Sequence, residues 1–315
     1  MTNRVPAWRR IGKSVTEAMT AEQAIQLGGL DFQVKLSEDF VTATASNGKQ
    51  IQTKDRFMTY AELPNGDVHG IGLVGNRYMP IQNRDAFDLL NNIVDDSGAH
   101  FDTAGTLGGY GKCFISLRLP ETIKVADSGD SIETYLHCVN SHDGTSSFKI
   151  YTMFLRQICT NGMMGFRAGS AISFKHTINS GTKIEDARTA LHLVFQEQDN
   201  FKQEVESLLS KPMTDGDFNK FLDELVPAPK QEDSTRTYWN TLEVRDNLSQ
   251  LWKADTQQNV ANTAWAAFNT VVEYADWFSP VRAKTEQAEY VRRAQRAMGG
   301  QSEMVERAHR LLVNA

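Results

Sequence analysis

The chain has 315 residues, of which 40% are hydrophobic and 23% are charged, and this composition excludes a disordered or fibrous protein. The length suits one or two domains with a sizeable core. The formal net charge of −6 excludes nucleic-acid binding by a uniformly basic surface but is compatible with a local basic face.

Three scattered cysteines, Cys113, Cys138 and Cys159, lack the C-x-x-C spacing of redox and metal motifs. We expect them to be buried thiols in a reducing cytoplasm. No apolar run follows the charged first residues, so no signal peptide is expected. No stretch approaches the ~18 apolar residues of a membrane span, so no membrane partner is expected either.

The first part of the chain predicts an arm, a helix and a strand. Residues 1–19 are polar and indicate a loose arm, in which Trp8 and nearby arginines are available to a neighbouring subunit or to nucleic acid. A capping-box pattern that begins at Thr20, with Gly28-Gly29 as the stop, predicts a helix over 21–27. The alternation over 30–36 predicts a half-buried strand.

Two turn signals, Asn47-Gly48 and Asn65-Gly66, predict a β-meander over about 40–79. Glycines 70, 72 and 75 lack the G-K-[ST] ending of a phosphate loop, so they indicate a strand with a bulge or a close backbone approach. Helical spacing from Asn83 to Ser97-Gly98 predicts a helix that covers one face of the sheet.

Residues 110–163 contain three runs that predict neighbouring strands, with an Asp-Gly turn before the third. One face of these strands is apolar, whereas the other carries cations and aromatic rings. Such a surface suits single-stranded nucleic acid, because phosphates pair with cations and bases stack on rings. An ordinary solvated sheet face is the alternative, and Glu133 on this face favours it. The candidate binding residues on and around this face are Arg56, Tyr110, Lys112, Phe114, Arg118, Lys149, Tyr151, Arg156 and Lys175.

After a further short strand, which ends at residues 174–177, the hydrophobic period becomes helical. It predicts a long helix from Ile184 to about Ser210, a short one from Asp217, a Pro-rich hinge near 226–233 and helices to the end. The last segment, from about Glu286, interleaves arginines with glutamates, which favours a self-paired exposed helix over one that contacts DNA phosphates.

We therefore predict an α+β fold: a curved antiparallel β-meander sheet with covering helices, followed by a helical C-terminal region. The expected organisation is an N-terminal arm (1–24), an α+β core domain (25–226) and a helical C-terminal region (227–315).

No diagnostic catalytic or metal motif is present, and neither a cofactor nor a metal is expected. His137 and Cys138 point to opposite faces of a strand and do not converge on one ion. Consecutive Ser141, His142 and Asp143 do not align as a catalytic relay. Arg156 with Cys159-Thr-Asn-Gly162 indicates either a turn or a group that orients a phosphate.

Several motifs resemble a known family when they are taken together and in order. They are G-L-D-F-Q-V near Gly29, N-R-Y-M-P-I-Q-N-R-D-A-F (76–87), N-S-H-D-G (140–144), R-Q-I-C-T-N-G-M (156–163), F-K-H-T (174–177) and T-A-W-A-A-F-N-T-V-V-E-Y-A-D-W (263–277). They resemble phage- and plasmid-encoded proteins that share a domain of unknown function and are labelled phage/plasmid-like. The resemblance spans nearly the whole chain. It implies a role in phage or plasmid biology in the host cytoplasm, and it supplies no catalytic residues.

A further likeness is to single-strand annealing proteins of the Red-beta type. It implies a β-meander with a crossing helix, assembly into rings or filaments, and DNA held in a basic groove. For this acidic chain, the groove would have to be segregated from the rest of the surface.

Three functional hypotheses follow. The first is a self-associating protein that binds and anneals single-stranded DNA in recombination, without an active site. The second is an oligomeric interaction protein that acts on a host or phage protein. The third is an enzyme built around His142, Asp143 and Asn161, which would require those side chains to meet in one pocket.

Overall fold

The computed structural model describes residues 4–125, 128–164, 171–174, 184–230, 232, 234–299 and 302–313. The strands of these residues are β1 (Lys13–Ser14), β2 (Gln33–Leu36), β3 (Thr42–Thr44), β4 (Gln50–Gln52), β5 (Arg56–Glu62), β6 (Val68–Gly75), β7 (His100–Thr106), β8 (Lys112–Val125), β9 (Asp130–Ser141), β10 (Phe148–Arg156), β11 (Asn161–Met164) and β12 (Ala171–Phe174). The α-helices are α1 (Ala7–Ile11), α2 (Ala21–Gly28), α3 (Asn83–Phe87), α4 (Leu89–Ser97), α5 (Ile184–Ser210), α6 (Asp215–Leu225), α7 (Thr235–Trp252), α8 (Ala264–Glu273), α9 (Glu286–Ala297) and α10 (Glu303–Val313). A 3-10 helix (Asp255–Val260) precedes α8, and a π-helix (Tyr274–Phe278) continues it.

A large antiparallel sheet organises the molecule. Its described strands run in the order β1-β7-β8-β9-β10-β11, and β12 also pairs with β10. A smaller sheet, β2-β5-β6, and the β3-β4 hairpin complete the β structure. The predicted α+β class is therefore confirmed, and the meander forms more than one sheet.

One face of the large sheet is covered in two places. At one end of the strands, side chains of α2, α3, α4 and the small sheet form a core with Ile115, Leu136 and Ile150. At the other end, Ile132 and Phe154 pack against the C-terminal helices, with Trp265 of α8 fully buried among them. The C-terminal helices thus share a core with the sheet, and the boundary near residue 226 stays a prediction.

The opposite face of the sheet is covered by the two ends of the chain. Trp8 of α1 and Ala294 and Met298, in and just after α9, form a core with Phe114 and Tyr151. The helices α1 and α9 also pack against each other. Apolar burial of this kind is favourable in proportion to the area removed from water, so both helices are held on the sheet by the same core.

Residues 4–19 differ from the expected loose arm. They contain α1 and β1, and β1 pairs with β7 at the edge of the sheet. Trp8 is only 3% exposed. A Cβ on Gly12 would lie 2.5 Å from Thr103 Cγ2 and 2.9 Å from Phe114 Cζ, so this close approach of the chain to the sheet requires glycine.

Several predicted elements are found. Thr20 accepts a hydrogen bond from Gln23 N and begins α2, and the long helix α5 has the predicted bounds. The glycine-rich run is strand β6: a bulge interrupts its pairing with β5, and a Cβ on Gly72 would lie 2.8 Å from Asp143 O. No described helix is long and apolar enough to cross a membrane.

Candidate functional site

The predicted cation–aromatic face exists as a shared side of the sheet but is covered at its centre. Phe114 on β8 and Tyr151 on β10 lie on the same face and are 0% and 2% exposed. Trp8 and α9 cover both rings, so neither is available to stack on a base. The solvated face that was the alternative is also absent here, because α1 and α9 replace solvent.

The cations of this face lie at its rim, and two of them are paired. Lys112 Nζ lies 3.9 Å from Asp143 Oδ2, and an Arg118 guanidinium nitrogen lies 2.5 Å from Glu133 Oε1. Lys149 is half-buried on β10. Because the carboxylates neutralise Lys112 and Arg118, these residues form a weak surface for phosphates.

The remaining predicted residues are dispersed. Arg56 is exposed on the small sheet, close to Asp55. Tyr110 is half-buried, and its ring contacts Phe32 and His69. Lys175 lies outside the described residues. Arg56 and Tyr110 therefore do not form one surface with the rim cations.

Arg156 is a structural residue and not a contact for DNA. It points to the face opposite Tyr151 and is 0% exposed. Its guanidinium pairs with the buried Asp130 and donates to Gln257 Oε1 and Asn259 Oδ1, both at 3.0 Å. These contacts join β9 and β10 to the 3-10 helix. Because the guanidinium is buried and already bonded, the predicted contact between Arg156 and a phosphate is wrong.

A buried polar network lies beneath α1. Arg9 binds both carboxyl oxygens of Asp102, at 2.7 and 3.1 Å, and donates to the Tyr135 hydroxyl. That hydroxyl donates in turn to Glu133. His137 Nδ1 lies 2.7 Å from Ser116 Oγ, and burial lowers the pKa of the imidazole to about 3, so the ring is neutral.

The N-S-H-D-G motif also has a structural role. Asn140 Nδ2 and His142 Nε2 lie 3.0 and 2.9 Å from Asn83 Oδ1, which fixes α3 to the end of β9. Asp143 accepts hydrogen bonds from Ser141 and Thr145 and shapes the turn.

The enzyme hypothesis receives no support from this geometry. His142 lies at the end of β9 that adjoins the turn to β10, whereas Asn161 pairs with Arg156 at the far end of β10. The nine residues of β10 separate them by roughly 25 Å at the usual rise per residue. No group of three metal-ligating side chains occurs among the described residues.

A different basic surface lies between α7, α9 and the segment that joins the π-helix to α9. It is an open groove of about 730 Å³, which we call the arginine groove. Its lining residues are Arg236, Pro280, Val281, Arg282, Arg292, Gln295 and Arg296. No acidic side chain lines it, and no ion pair among the described residues involves its arginines.

Local helix chemistry explains why the two groove arginines of α9 form no ion pair with a residue four positions earlier. Arg293 and Arg310 each have a glutamate four residues earlier and bind it, at 2.9 and 3.9 Å. Arg292 and Arg296 have Ala288 and Arg292 in that position instead. The expectation of a self-paired helix therefore holds for Arg293 and Arg310 and fails for Arg292 and Arg296. The presence or absence of a glutamate four residues before each arginine was the signal in the sequence that could have distinguished the paired arginines from the unpaired ones.

An exposed aromatic ring lies on the same helix as one arginine of the groove. Trp239 lies one helical turn after Arg236 on α7, so the two share a helix face, and Trp239 is 63% exposed. Exposed tryptophan is unusual, since such a large ring gains most from burial. The groove and this ring combine cations with an aromatic surface, as predicted for the sheet but at another place in the fold.

A cavity of about 530 Å³ opens beside the arginine groove, and Arg296 lines both. We call it the Asp276 cavity. Its wall is largely apolar, with Met153, Val272 and Met304 among the lining residues. The π-helix supplies Asp276, and π-helical turns are frequent at functional sites.

One hydrogen bond holds the Asp276 carboxyl in place, but the groups around it do not fully offset its loss of solvation. Its Oδ2 accepts a hydrogen bond of 2.9 Å from Gly162 N. Desolvation raises its pKa to about 7, although the Gly162 hydrogen bond and Arg293 act in the opposite direction. The residue as a whole is half-buried, and the desolvation of its carboxyl is the largest of these effects.

Comparison with known proteins identifies one family. A family model described as a domain of unknown function (DUF932) matches residues 70–298, which include the large sheet from β7 onward, the arginine groove and part of the lining of the Asp276 cavity, with Asp276 itself. No curated protein and no solved structure matches the chain.

Proposed function

The chain belongs to the DUF932 family, whose description names no activity, and we propose that it binds single-stranded nucleic acid along the arginine groove. The proposed role is the binding and annealing of single-stranded DNA in the DNA metabolism of a phage or plasmid. The proposal rests on the groove itself, because four arginines and no carboxylate line it.

The charge distribution supports this proposal. A chain of net charge −6 repels phosphates over most of its surface, so binding requires cations that are segregated from acidic groups. Arginines are suited to phosphates because their planar guanidinium groups form two parallel hydrogen bonds. Trp239 favours a single strand over a duplex, because only unpaired bases expose their faces for stacking.

Salt-dependent binding tests the proposal. We expect the affinity for a labelled thymidine strand to fall with a log–log slope of about −3, roughly 50-fold from about 50 to 200 mM salt, if four phosphates are neutralised. The triple variant R236Q/R282Q/R292Q should reduce the slope by about 2. Arg296 is kept because it also bonds to Ser279 Oγ and Pro280 O.

A matched control separates the groove from net charge. The variant K49Q/K124Q/K202Q removes three exposed cations from other parts of the surface. It should retain the wild-type slope. Equal slopes for the groove variant and the wild-type protein would refute the proposed surface, and a wild-type protein that binds no strand at low salt would refute the function.

A second candidate function, an oligomeric interaction protein, is favoured by one exposed apolar stripe. Met58, Val68 and Leu73 share the outer face of the small sheet and are 39%, 60% and 51% exposed. Lys35 and Glu62 form an ion pair beside them. A surface with both charges and an apolar centre is self-complementary about a twofold axis, so we propose a second copy of this chain as the partner.

A further inference from the structure

We propose that the Asp276 cavity receives one unstacked base of the strand bound in the arginine groove, and that Asp276 selects guanine. This inference rests on the proposed function of the groove. It adds a base preference to a surface that, by itself, recognises only phosphates.

The cavity lies directly beside the arginine groove. Arg296 lines both spaces and is held between them, since its guanidinium donates to Ser279 Oγ at 3.2 Å and to Pro280 O at 3.1 Å. A phosphate on the groove side therefore lies next to the cavity mouth. A nucleotide that turns its base away from its neighbours can place it there, as proteins that read single strands commonly arrange.

The size and the lining of the cavity suit a flat ring. The cavity volume, about 530 Å³, lies within the range of pockets that enclose small ligands. The lining includes Met153 and Met304, whose thioethers make favourable contacts with flat aromatic rings. The π-helix supplies two polar side chains to the lining, Asp276 and Tyr274, and Ser279, Arg296 and Ser302 also line the cavity. A flat ring can lie against the apolar wall and direct hydrogen-bond donors at one edge to the Asp276 carboxylate, which among these groups is the one that accepts without donating.

The chemistry of the carboxylate selects among the bases. An ionised carboxylate only accepts hydrogen bonds. Guanine presents two adjacent donors, N1–H and the N2 amino group, at its pairing edge. Adenine and cytosine present one amino group beside an acceptor nitrogen, which would face a carboxylate oxygen unfavourably. Guanine is therefore the complementary base while Asp276 is ionised.

The protonation state of Asp276 makes this preference pH-dependent. The groups near the carboxyl are Gly162 N–H from β11, Glu273 from α8 and Arg293 from α9, and Arg296 and Tyr274 line the same cavity. Glu273 itself is paired with Arg4. With a pKa of about 7, Asp276 is mostly ionised at about pH 8 and mostly protonated at about pH 6. The guanine preference should be present at the higher pH and lost at the lower.

The test compares thymidine strands that carry one central guanine or one central adenine. At about pH 8 we expect the wild-type protein to bind the guanine strand roughly tenfold more tightly, and at about pH 6 equally. The variant D276N should lose the preference and bind the two strands equally at about pH 8, and its salt slope, which reports the groove arginines, checks that the groove is intact. The variant D199N, which removes one exposed carboxylate on α5, should behave as the wild-type protein.

The outcomes distinguish this inference from the function on which it rests. Equal affinities for the two strands at about pH 8 would overturn the base preference and leave the groove in place. A loss of the salt slope in D276N would show that Asp276 supports the fold and does not read a base. Guanosine monophosphate that binds as tightly as the guanine strand would overturn the strand as the source of the base. Absence of all strand binding would overturn both proposals.

Discussion

Arg156 illustrates how a buried charge is made tolerable at the scale of one residue. The guanidinium is removed from water, and its donors are directed to Asp130, Gln257, Asn259 and Cys159. An unpaired buried charge costs several kcal/mol, whereas a paired and hydrogen-bonded one is near balance. These contacts explain why an arginine lies at the end of a central strand.

Replacing Arg156 by methionine should lower the free energy of unfolding by about 3–5 kcal/mol, because Asp130 would be left buried without its partner. Chemical denaturation measures this change. The control is R118Q, which breaks the pair with Glu133 at a side chain that is 48% exposed and should cost about 1 kcal/mol or less. Similar losses in both variants would contradict the structural role assigned to Arg156.

The buried His137 should make the protein sensitive to mild acid. Its pKa is about 3 in the folded protein and 6.5 when exposed, so between these values the unfolded chain binds a proton that the folded protein does not. Stability is therefore lost as the pH falls below about 6.5. From about pH 7 to 5, H137Q should lose up to about 2 kcal/mol less than the wild-type protein, as measured by urea denaturation at both pH values.

Asp276 changes the pH dependence of stability in the opposite direction to His137. Its pKa is raised from 3.8 to about 7, so the folded protein binds the extra proton between these values and loses stability as the pH rises. The variant D276N removes this effect, and its stability relative to the wild-type protein should increase from about pH 4 to about pH 7. A constant difference across that range would mean that burial does not perturb this carboxyl.

At the scale of elements, α1 and α9 decide which surface of the sheet is available. They come from opposite ends of the chain and pack together over β8, β9 and β10. The Arg10 guanidinium lies 4.6 Å from the centre of the Tyr290 ring, which adds a cation–π contact between the two helices. Their cover excludes the centre of this face from binding and exposes the arginines on the outer side of α9.

Trp8 provides most of the aromatic contact of α1 with the sheet, at 5.1 Å between its ring centre and that of His137. Its replacement by alanine should lower the free energy of unfolding by about 3–5 kcal/mol, because a large cavity is left in a closed core. Denaturation of W239A is the matched control. The same change at a ring that is 63% exposed should alter stability by about 0.5 kcal/mol or less.

At the scale of the whole molecule, the basic groove, the exposed apolar stripe and the negative charge of the chain lie on different parts of the surface. The arginine groove lies on the C-terminal helices, the apolar stripe of Met58, Val68 and Leu73 lies on the small sheet, and the overall charge is negative. Negative charge outside the groove would limit non-specific contacts, and the stripe and the groove have no residue in common. Binding and self-association can then be tested independently.

Self-association through the stripe predicts a change in apparent size. The variant V68K/L73K should elute from a sizing column as a smaller species than the wild-type protein, because two lysines per copy would face the partner's lysines. The control is M19K, which places a lysine at a methionine that is 78% exposed on another part of the surface. Identical elution of the double variant and the wild-type protein would exclude this face as the interface.

The predictable part of the fold is the part determined by local patterns. Alternation located β8, β9 and β10, and helical spacing located α5 between Ile184 and Ser210. The same alternation correctly placed Lys112, Phe114 and Arg118 on one face of β8. These inferences succeed because the side-chain period of a strand or helix depends on backbone geometry alone.

Which of these faces meets water was decided by the tertiary structure. The burial of Phe114 and Tyr151 depends on Trp8 and Met298, which are far from both residues in the sequence. Likewise, the arginine groove joins Arg236 on α7 to Arg292 on α9, and no local pattern relates the two. The amino-acid sequence alone determined most of the elements, the residues that share one face of each, and the class of the fold. Only packing determined which cations remain unpaired and exposed, because burial and charge pairing depend on contacts between distant segments of the chain.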